Sequence, residues 1–495
     1  MAASEAHLAY DLGASSGRAI VGHITSNKLQ VNEIHRFKNV PNEASGRLHW
    51  NIPHLLSEVR AGLRKATSSH PEIATVGVDS WGVDFGLLDM SGNLVTAPYC
   101  YRDAGVDGMM EAVFDRILRP DIYARTGTQF LAFNSLYRLL SIAIESPEHL
   151  DRAHKLLMIA DLVHHELTGN PVCEFTNATT SQFYNPALDG WDTELLRDLD
   201  IPTHFLPDIV RPGSDLGLLL PDVAADTGAR NLHVVAPATH DTGSAVAAVP
   251  FESADAGTGA YISCGTWALV GCERTEPLIS DAALHHNFTN EGGAFGTWRF
   301  LKNVAGLWLL EECRRVWARE HIGSDYGALL SAAEQAEPFR SLIDPDDASF
   351  TAPGDMPTRI TDYCRKTRQP LPESEGDIVR CILESLALKF RIVLDEMASV
   401  TGRNPGVIHI VGGGSRNHLL CEWTAGATGR PVVTGPVEAT AIGNLLLSSG
   451  RFNSLSELRS IVRNSFPLDT FDPAPSQPWD DACGRLKSLL QEPSR

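Results

Sequence analysis

Apolar residues gather in Leu8-Ala-Tyr10, give way at Asp11 to the small stretch Gly13-Ala14-Ser15-Ser16-Gly17-Arg18, and return from Ala19 to Ile24. That pattern predicts strand, tight turn and strand over His7 to Ile24, and Asn27-Lys-Leu-Gln-Val31 resumes the alternation. Pro53 then opens a helix whose stripe is Leu55, Leu56, Val59 and Leu63, and Ser68-Ser69-His70-Pro71 closes it. Thr75 to Asp89 reads as a buried strand, a loop holding Ser80, Trp81, Gly82 and Asp84, and a second strand. Asp121 to Thr168 is mostly helical, broken at Gly127-Thr-Gln-Phe130 and at Ser146-Pro147. Within it His164-His165-Glu166 lacks metal-binding spacing and reads as a solvated or capping group. Thr176 to Gln182 predicts a loop or irregular strand, and Ile209 to Gly217 a connecting loop. After Asn231 an apolar strand delivers Thr239-His240-Asp241-Thr242 onto small residues that begin a helix.

The second half repeats the opening. Ser253 to Gly259 is rich in small residues and marks a domain boundary, and Ala260 to Gly271 is again strand, small turn with Ser263, Gly265 and Thr266, and strand. Asn290-Glu-Gly-Gly293 and Leu301-Lys-Asn303 precede a helix from Gly306 to Trp317. Asp377 to Thr401 is a long amphipathic helix with Val379, Leu383, Leu386, Phe390, Val393 and Met397 on its core face and Gly402 as its C-cap. Val407 to Val411 is a strand feeding Gly412-Gly413-Gly414, and Gly435 to Asn444 adds a polar turn and a helix.

A chain of 495 residues, 43% of them hydrophobic, predicts two domains of comparable size. A formal net charge of −20 argues against nucleic acid or an anionic membrane as partner. The amino terminus lacks a leader pattern and no stretch stays apolar long enough to span a bilayer, so a cytoplasmic protein is expected. Nine scattered cysteines without a C-x-x-C pair match neither a secreted disulfide framework nor a zinc site.

Three places carry chemistry. In the first turn, glycine lets backbone N–H groups approach an anion, Ser15 and Ser16 add hydroxyl donors, Arg18 adds charge, and Asp11 can hold a hydrated metal ion beside phosphates. Gly13-Ala-Ser15-Ser16-Gly17 also satisfies the G-x-S-x-G elbow of serine hydrolases, but an elbow leaves its strand into a helix, whereas this turn leads into a second strand; a plain hairpin is the third reading. Trp81 and Asp84, beside Gly82, suit a sugar that stacks on an aromatic face and needs fixed acceptors, or else a core tryptophan with strand-end aspartates. Tyr99, Tyr101, Arg102 and Asp103 could complete that pocket. Asp241, at a strand end beside a helix start, could take a proton from a hydroxyl nucleophile that His240 and Thr242 orient, or could merely cap the helix.

The ordered set of motifs resembles the FGGY family of carbohydrate kinases, within the actin-like ATPase superfamily. The matching segments run from Asp11-Leu-Gly-Ala-Ser-Ser-Gly-Arg18 through Val78-Asp-Ser-Trp-Gly-Val-Asp-Phe85, Thr176-Asn-Ala-Thr-Thr180, His240-Asp-Thr242, Ser263-Cys-Gly-Thr-Trp267 and Thr289-Asn-Glu-Gly-Gly293 to Val411-Gly-Gly-Gly414 and Gly435-Pro-Val-Glu-Ala439. The resemblance implies an α/β fold of two duplicated RNase H-like (actin-like ATPase) domains, each a mixed sheet flanked by helices, with a cleft between them. Residues 1–246 would form the sugar-binding domain with the first phosphate turn and the catalytic aspartate, and 247–495 the nucleotide-binding domain. The implied reaction is ATP-dependent phosphorylation of the 1-hydroxyl of L-rhamnulose, with another ketose such as L-fuculose or L-ribulose as the alternative; a noncatalytic sugar or nucleotide sensor on the same fold is more remote.

Carried over by position, Asp241 is the general base, and His240, Thr242 and Gly82 contact sugar, with Trp81 and Asp84 added. Ala14, Ser15, Ser16, Gly17, Arg18, Thr266, Asn303 and Gly413 fall at nucleotide-contacting positions. Glu311 stands where relatives can carry a glutamine that contacts nucleotide, and Asp11 supports Mg²⁺. Cys364 and Cys381 match a pair that the family can oxidise, and in a reducing compartment they are expected as thiols.

Overall fold

Alternating side chains make the opening stretch a sheet with two different faces. In a computed structural model, which describes residues 5–252, 255, 257–319, 325–474 and 477–491, strands Glu5–Leu12, Ser16–Ile24 and Leu29–Lys38 form an antiparallel meander. Strands Ile73–Ser80 and His233–Ala236 extend it in parallel, and Ser214–Leu218 closes the edge antiparallel. Leu8, Tyr10, Leu12, Val76 and Val78 share one face and pack under helix Ile52–Ser69, where Leu55, Val59 and Leu63 are buried as the stripe predicts. Tyr10 Oη donates to the Val59 carbonyl at 2.6 Å through that layer. The opposite face presents Gly77, Asp11 and Asp79 to helix Ala439–Ser448, whose Asn444 bonds Tyr10 O and Asp79.

The chain forms two compact units: Met1–Pro250 with Glu273–Phe300 and Glu438–Phe466, and Phe251–Cys272 with Leu301–Val437 and Pro467–Arg495. The second unit repeats the plan. Strands Ala260–Cys264 and Trp267–Arg274 form an antiparallel hairpin; Ile408–Val411 and Val432–Thr434 extend it in parallel, and Asp469–Phe471 closes the edge antiparallel. Helix Glu375–Thr401 carries the predicted buried stripe, starts in a capping box between Ser374 and Asp377, and ends at Gly402 with φ +68°. These are the duplicated mixed sheets flanked by helices that the resemblance implies. The predicted boundary loop at 253–259 lies partly outside the described residues, at 253, 254 and 256. Among the described residues no helix is long and apolar enough to cross a membrane, and all nine cysteines are free, Cys364 and Cys381 among them.

Four local expectations fail for the same reason, which is that tertiary packing overrides local pattern. Lys155–Met158 is a strand rather than helix because it pairs with Phe85–Leu88. Thr176 to Gln182 begins in a buried helical turn, Phe175–Ala178, and continues in further buried turns, where the local pattern predicts a loop or irregular strand. Ile209 to Gly217 contributes Ile209–Val210 and part of the edge strand, with a register shift between Asp215 and Gly217. His164 is buried on the core face of its helix instead of solvated.

The layering makes Leu63→Ala destabilising by about 2–5 kcal/mol, since a fully buried side chain is lost from between helix and sheet. The half-exposed Leu56→Ala should lose clearly less, and urea denaturation of both variants checks the order.

Candidate active site

Three parallel neighbouring strands each end beside an aspartate: Asp11, Asp79 and, just past His233–Ala236, Asp241. Asp11 and Asp79 are register partners. Asp79 is fully buried and accepts from Asn444 Nδ2 at 2.6 Å; burial, with Asp11 next to it, pushes its carboxyl well above the ordinary range. Asp11 pairs with Arg18, and Arg18 pairs also with Glu438 at the start of helix Ala439–Ser448. Burial raises the Asp11 carboxyl, Arg18 pulls it back, and the charges of Asp241 and Glu438 raise it again. The one guanidinium of Arg18 thus serves two carboxylates, Asp11 and Glu438, with Asp241 adding a third negative charge near Asp11. A surplus of hard oxygen donors fits a Mg²⁺ ion at Asp11. Among the described residues, a separate grouping of possible metal ligands is His23, His70 and Glu72, at the open end of the first hairpin, away from Asp11.

The first turn is a four-residue loop in which Gly13 N donates to Ser16 O at 2.9 Å, and Asn39 fastens it through the Ser15 and Gly13 carbonyls. Ser15 is exposed, while Ala14, Ser16 and Arg18 are half-buried. Gly17 is forced by packing, because a Cβ there would lie 2.2 Å from the Phe37 ring. The turn runs from strand into strand, so the hydrolase elbow, which needs a helix next, is excluded.

Around Gly82 the backbone is strained and held. Val83, a β-branched residue, has φ +67° and is fixed by Thr180 Oγ1 at 3.1 Å and Ser135 Oγ at 2.5 Å. Asp84 Oδ2 accepts from Trp50 Nε1 at 2.6 Å, Trp81 Nε1 at 2.9 Å and Tyr101 N at 3.1 Å. Burial pushes Asp84 up to about 6 against those donors. Trp81 packs on Trp50 with ring centroids 4.4 Å apart and is only 7% exposed. Asp103 is taken up by Arg47, Arg138 and the backbone N–H of Leu48 and Gly105, which makes it a brace of the loop.

His240, not Asp241, is the N-cap residue of helix Asp241–Ala247, and its side chain makes no capping bond. Asp241 Oδ1 accepts from Thr242 N at 2.5 Å and Thr242 Oγ1 at 3.1 Å. With 32% of its side chain exposed, Asp241 is the most open of the three aspartates. Glu174, buried behind it, accepts the N–H and hydroxyl of both Thr176 and Thr239 on Oε2, at 2.5 to 3.0 Å. Burial pushes Glu174 up to about 7. Thr176 Oγ1 in turn takes the His240 N–H at 3.1 Å, so the corner that presents Asp241 is fixed from below. His240 also meets Glu291 and Arg299. Sequence reasoning missed the roles of Asp79, Glu174, Glu291, Arg299, Glu438 and Asn444. The motif matches over residues 78–85, 289–293 and 435–439 were the available signals for three of them, Asp79, Glu291 and Glu438.

In the second unit Thr266 is exposed at the hairpin turn, where its carbonyl accepts Gly306 N at 3.1 Å. A Cβ on Gly414 would lie 2.4 Å from Cys264 Sγ, Gly412 has φ +80° and sits tightly against Cys264 O, and Gly413 is exposed with open space beside it. Asn303 is half-buried on strand Trp298–Ala305. Glu311 is exposed on helix Trp308–Arg319 and bonds Arg314 at 3.0 Å.

The sequence matches the models of the FGGY family of carbohydrate kinases, the N-terminal domain over residues 6–248 and the C-terminal domain over 260–449. It is 43% identical to a rhamnulokinase of Bacteroides thetaiotaomicron over 98% of this chain and 99% of that one. With a rhamnulokinase of Pectobacterium atrosepticum it shares 41% over 98% and 96%. The fold matches gluconate kinase from Lactobacillus acidophilus at TM-score 0.80 and 17% identity, covering 99% of both chains. Plasmodium falciparum glycerol kinase with ADP matches at TM-score 0.76 and 15% identity, also over 99% of both.

The raised Asp84 carboxyl gives a signed pH effect. Its folded value near 6 exceeds the ordinary carboxylate value, so its favourable contribution is complete below about pH 4 and is lost as pH rises through 6. Asp84→Asn keeps an acceptor for both indoles without the charge. Its stability relative to the unchanged protein should rise by about 2–3 kcal/mol between pH 4 and pH 7, read from denaturation curves at both values.

Proposed function

The chain belongs to the FGGY family of carbohydrate kinases, and from that premise we propose that it is a cytoplasmic enzyme transferring the terminal phosphoryl group of ATP to the 1-hydroxyl of L-rhamnulose. L-Rhamnulose 1-phosphate and ADP are the products. Likeness to rhamnulokinases along nearly the whole chain supports the choice of sugar. The observation that carries the chemistry is the contrast among the strand-end aspartates: Asp79 is sealed, Asp11 is paired with Arg18, and Asp241 alone offers an accessible carboxylate beside hydrogen-bonding neighbours.

Phosphoryl transfer asks a protein for placement and charge neutralisation more than for covalent chemistry. Asp241 takes the proton as the sugar hydroxyl attacks phosphorus, and the bond to the ADP oxygen breaks on the far side. Thr242 fixes one oxygen of Asp241, and His240, with Gly82, Trp81 and Asp84, shapes the sugar side. Ala14, Ser15, Ser16, Gly17 and Arg18 receive phosphate oxygens. Thr266, Asn303, Glu311 and Gly413 contact nucleotide. In this reading residues 1–246 carry the sugar and 247–495 the nucleotide. Mg²⁺, held through water at Asp11, supplies neutralisation of phosphate charge when bound.

An ADP-release assay comparing L-rhamnulose with L-fuculose, L-ribulose, D-xylulose and glycerol should give L-rhamnulose the highest kcat/KM; another sugar in first place would reassign the substrate. Asp241→Asn should lower kcat by about 10²–10⁴ with nucleotide affinity unchanged. Lost nucleotide binding in that variant would remove the base assignment.

A further inference from the structure

The two ring nitrogens of His240 face different surroundings. Nε2 lies 3.5 Å from Asp241 Oδ1, and a Cβ built on Gly82 would stand 3.3 Å from it, so this nitrogen looks over the glycine toward the sugar side. Nδ1 faces inward, 3.1 Å from Arg299 Nη2 and 3.2 Å from Glu291 Oε2. Arg299 is fully buried; its Nε donates to Gly292 O at 2.7 Å and its Nη1 pairs with Glu291 at 3.1 Å. A guanidinium has donors only and stays charged. Its hydrogen bond to Nδ1 therefore needs that nitrogen as acceptor, and a neutral imidazole then carries its proton on Nε2. Glu291, ion-paired with Arg299, balances the arginine charge.

We propose that Arg299 is a positioning residue that locks His240 as the Nε2–H tautomer, and that this N–H donates to the sugar oxygen on the carbon beside the reacting hydroxyl. The proposal rests on Asp241 as the proton acceptor. Thr242 occupies Asp241 Oδ1, so the reacting hydroxyl meets Oδ2. Oxygens on adjacent sugar carbons lie roughly 3 Å apart, about a hydrogen-bond length. Nε2 lies 3.5 Å from Oδ1 of the same carboxylate, so a donor and an acceptor stand side by side on residues 240 and 241. A carbonyl or hydroxyl oxygen at the neighbouring carbon satisfies the donor, and a substrate without one leaves it unpaired, which costs affinity in the transition state. His240 thereby selects 1,2-oxygenated substrates, with Arg299 deciding which ring nitrogen does so.

The test is ¹⁵N-histidine NMR of the unliganded full chain near pH 7.5, with the His240 signals identified by their loss in His240→Gln. The expected pattern is protonated Nε2 and bare Nδ1. In Arg299→Met that fixed pattern should give way to a tautomer mixture, while kcat falls about 10–100-fold, as when an outer partner of a histidine is removed, and KM for ATP holds. Arg299→Lys, which still donates, should recover part of the loss. Glutamine places an amide N–H near the Nε2 position and asparagine near Nδ1, so His240→Gln should retain more kcat than His240→Asn. That pair also carries the test if Arg299→Met does not fold. An Nδ1–H or imidazolium form in the unchanged protein, an unaltered tautomer in Arg299→Met, or the reverse order of the two His240 variants would overturn the proposal. Absence of turnover on L-rhamnulose would defeat the substrate assignment alone, because the tautomer is read without substrate.

Discussion

Like charge concentrated at the ends of three adjacent parallel strands is the constraint that the first unit is built to satisfy. Parallel neighbours end on the same side, so Asp11, Asp79 and Asp241 converge simply because each follows its own strand. Such convergence is useful for handling phosphate, metal and proton, and it opposes folding, because carboxylates lose hydration and repel one another. Each is answered differently: Arg18 pairs with Asp11, the Asn444 amide serves an Asp79 that burial drives toward its neutral form, and partial exposure keeps water on Asp241.

The answer is completed by one helix, Ala439–Ser448. It brings Asn444 to Asp79, Glu438 to Arg18, and Gly443 against the backbone of the Asp241 helix, where a Cβ would lie 1.8 Å from Ser244 O. Only glycine permits that approach. The same helix therefore sets both the electrostatics under the site and the seat of the helix that carries Asp241.

What could be read without coordinates follows from locality. The hairpins, the strand-to-helix turn at Asp241 and the long helix after Ser374 are specified by residues a few positions apart, and they fold as their patterns predict. Arg299 and His240 are 59 residues apart, Glu174 and Thr239 are 65, and Asn444 and Asp79 are 365. No periodicity marks a polar residue whose only reason for being buried is a distant partner. Arg299 within a strand reads as an outward charge, and Glu174 as an ordinary surface acid. His164 fails for the same reason: its helical face was legible only once the sheet beneath it was known.

The return of residues 438–466 to the first unit has a consequence for biosynthesis. Asp79 leaves the ribosome 365 residues before Asn444, a delay of roughly 20–70 s at typical elongation rates. Through that interval the sheet face that helix Ala439–Ser448 covers stays open, and Asp79 lacks the Asn444 amide that serves it. The first unit can collapse early around Tyr10 and the Ile52–Ser69 helix, but its acidic end is finished only when the last tenth or so of the chain has emerged.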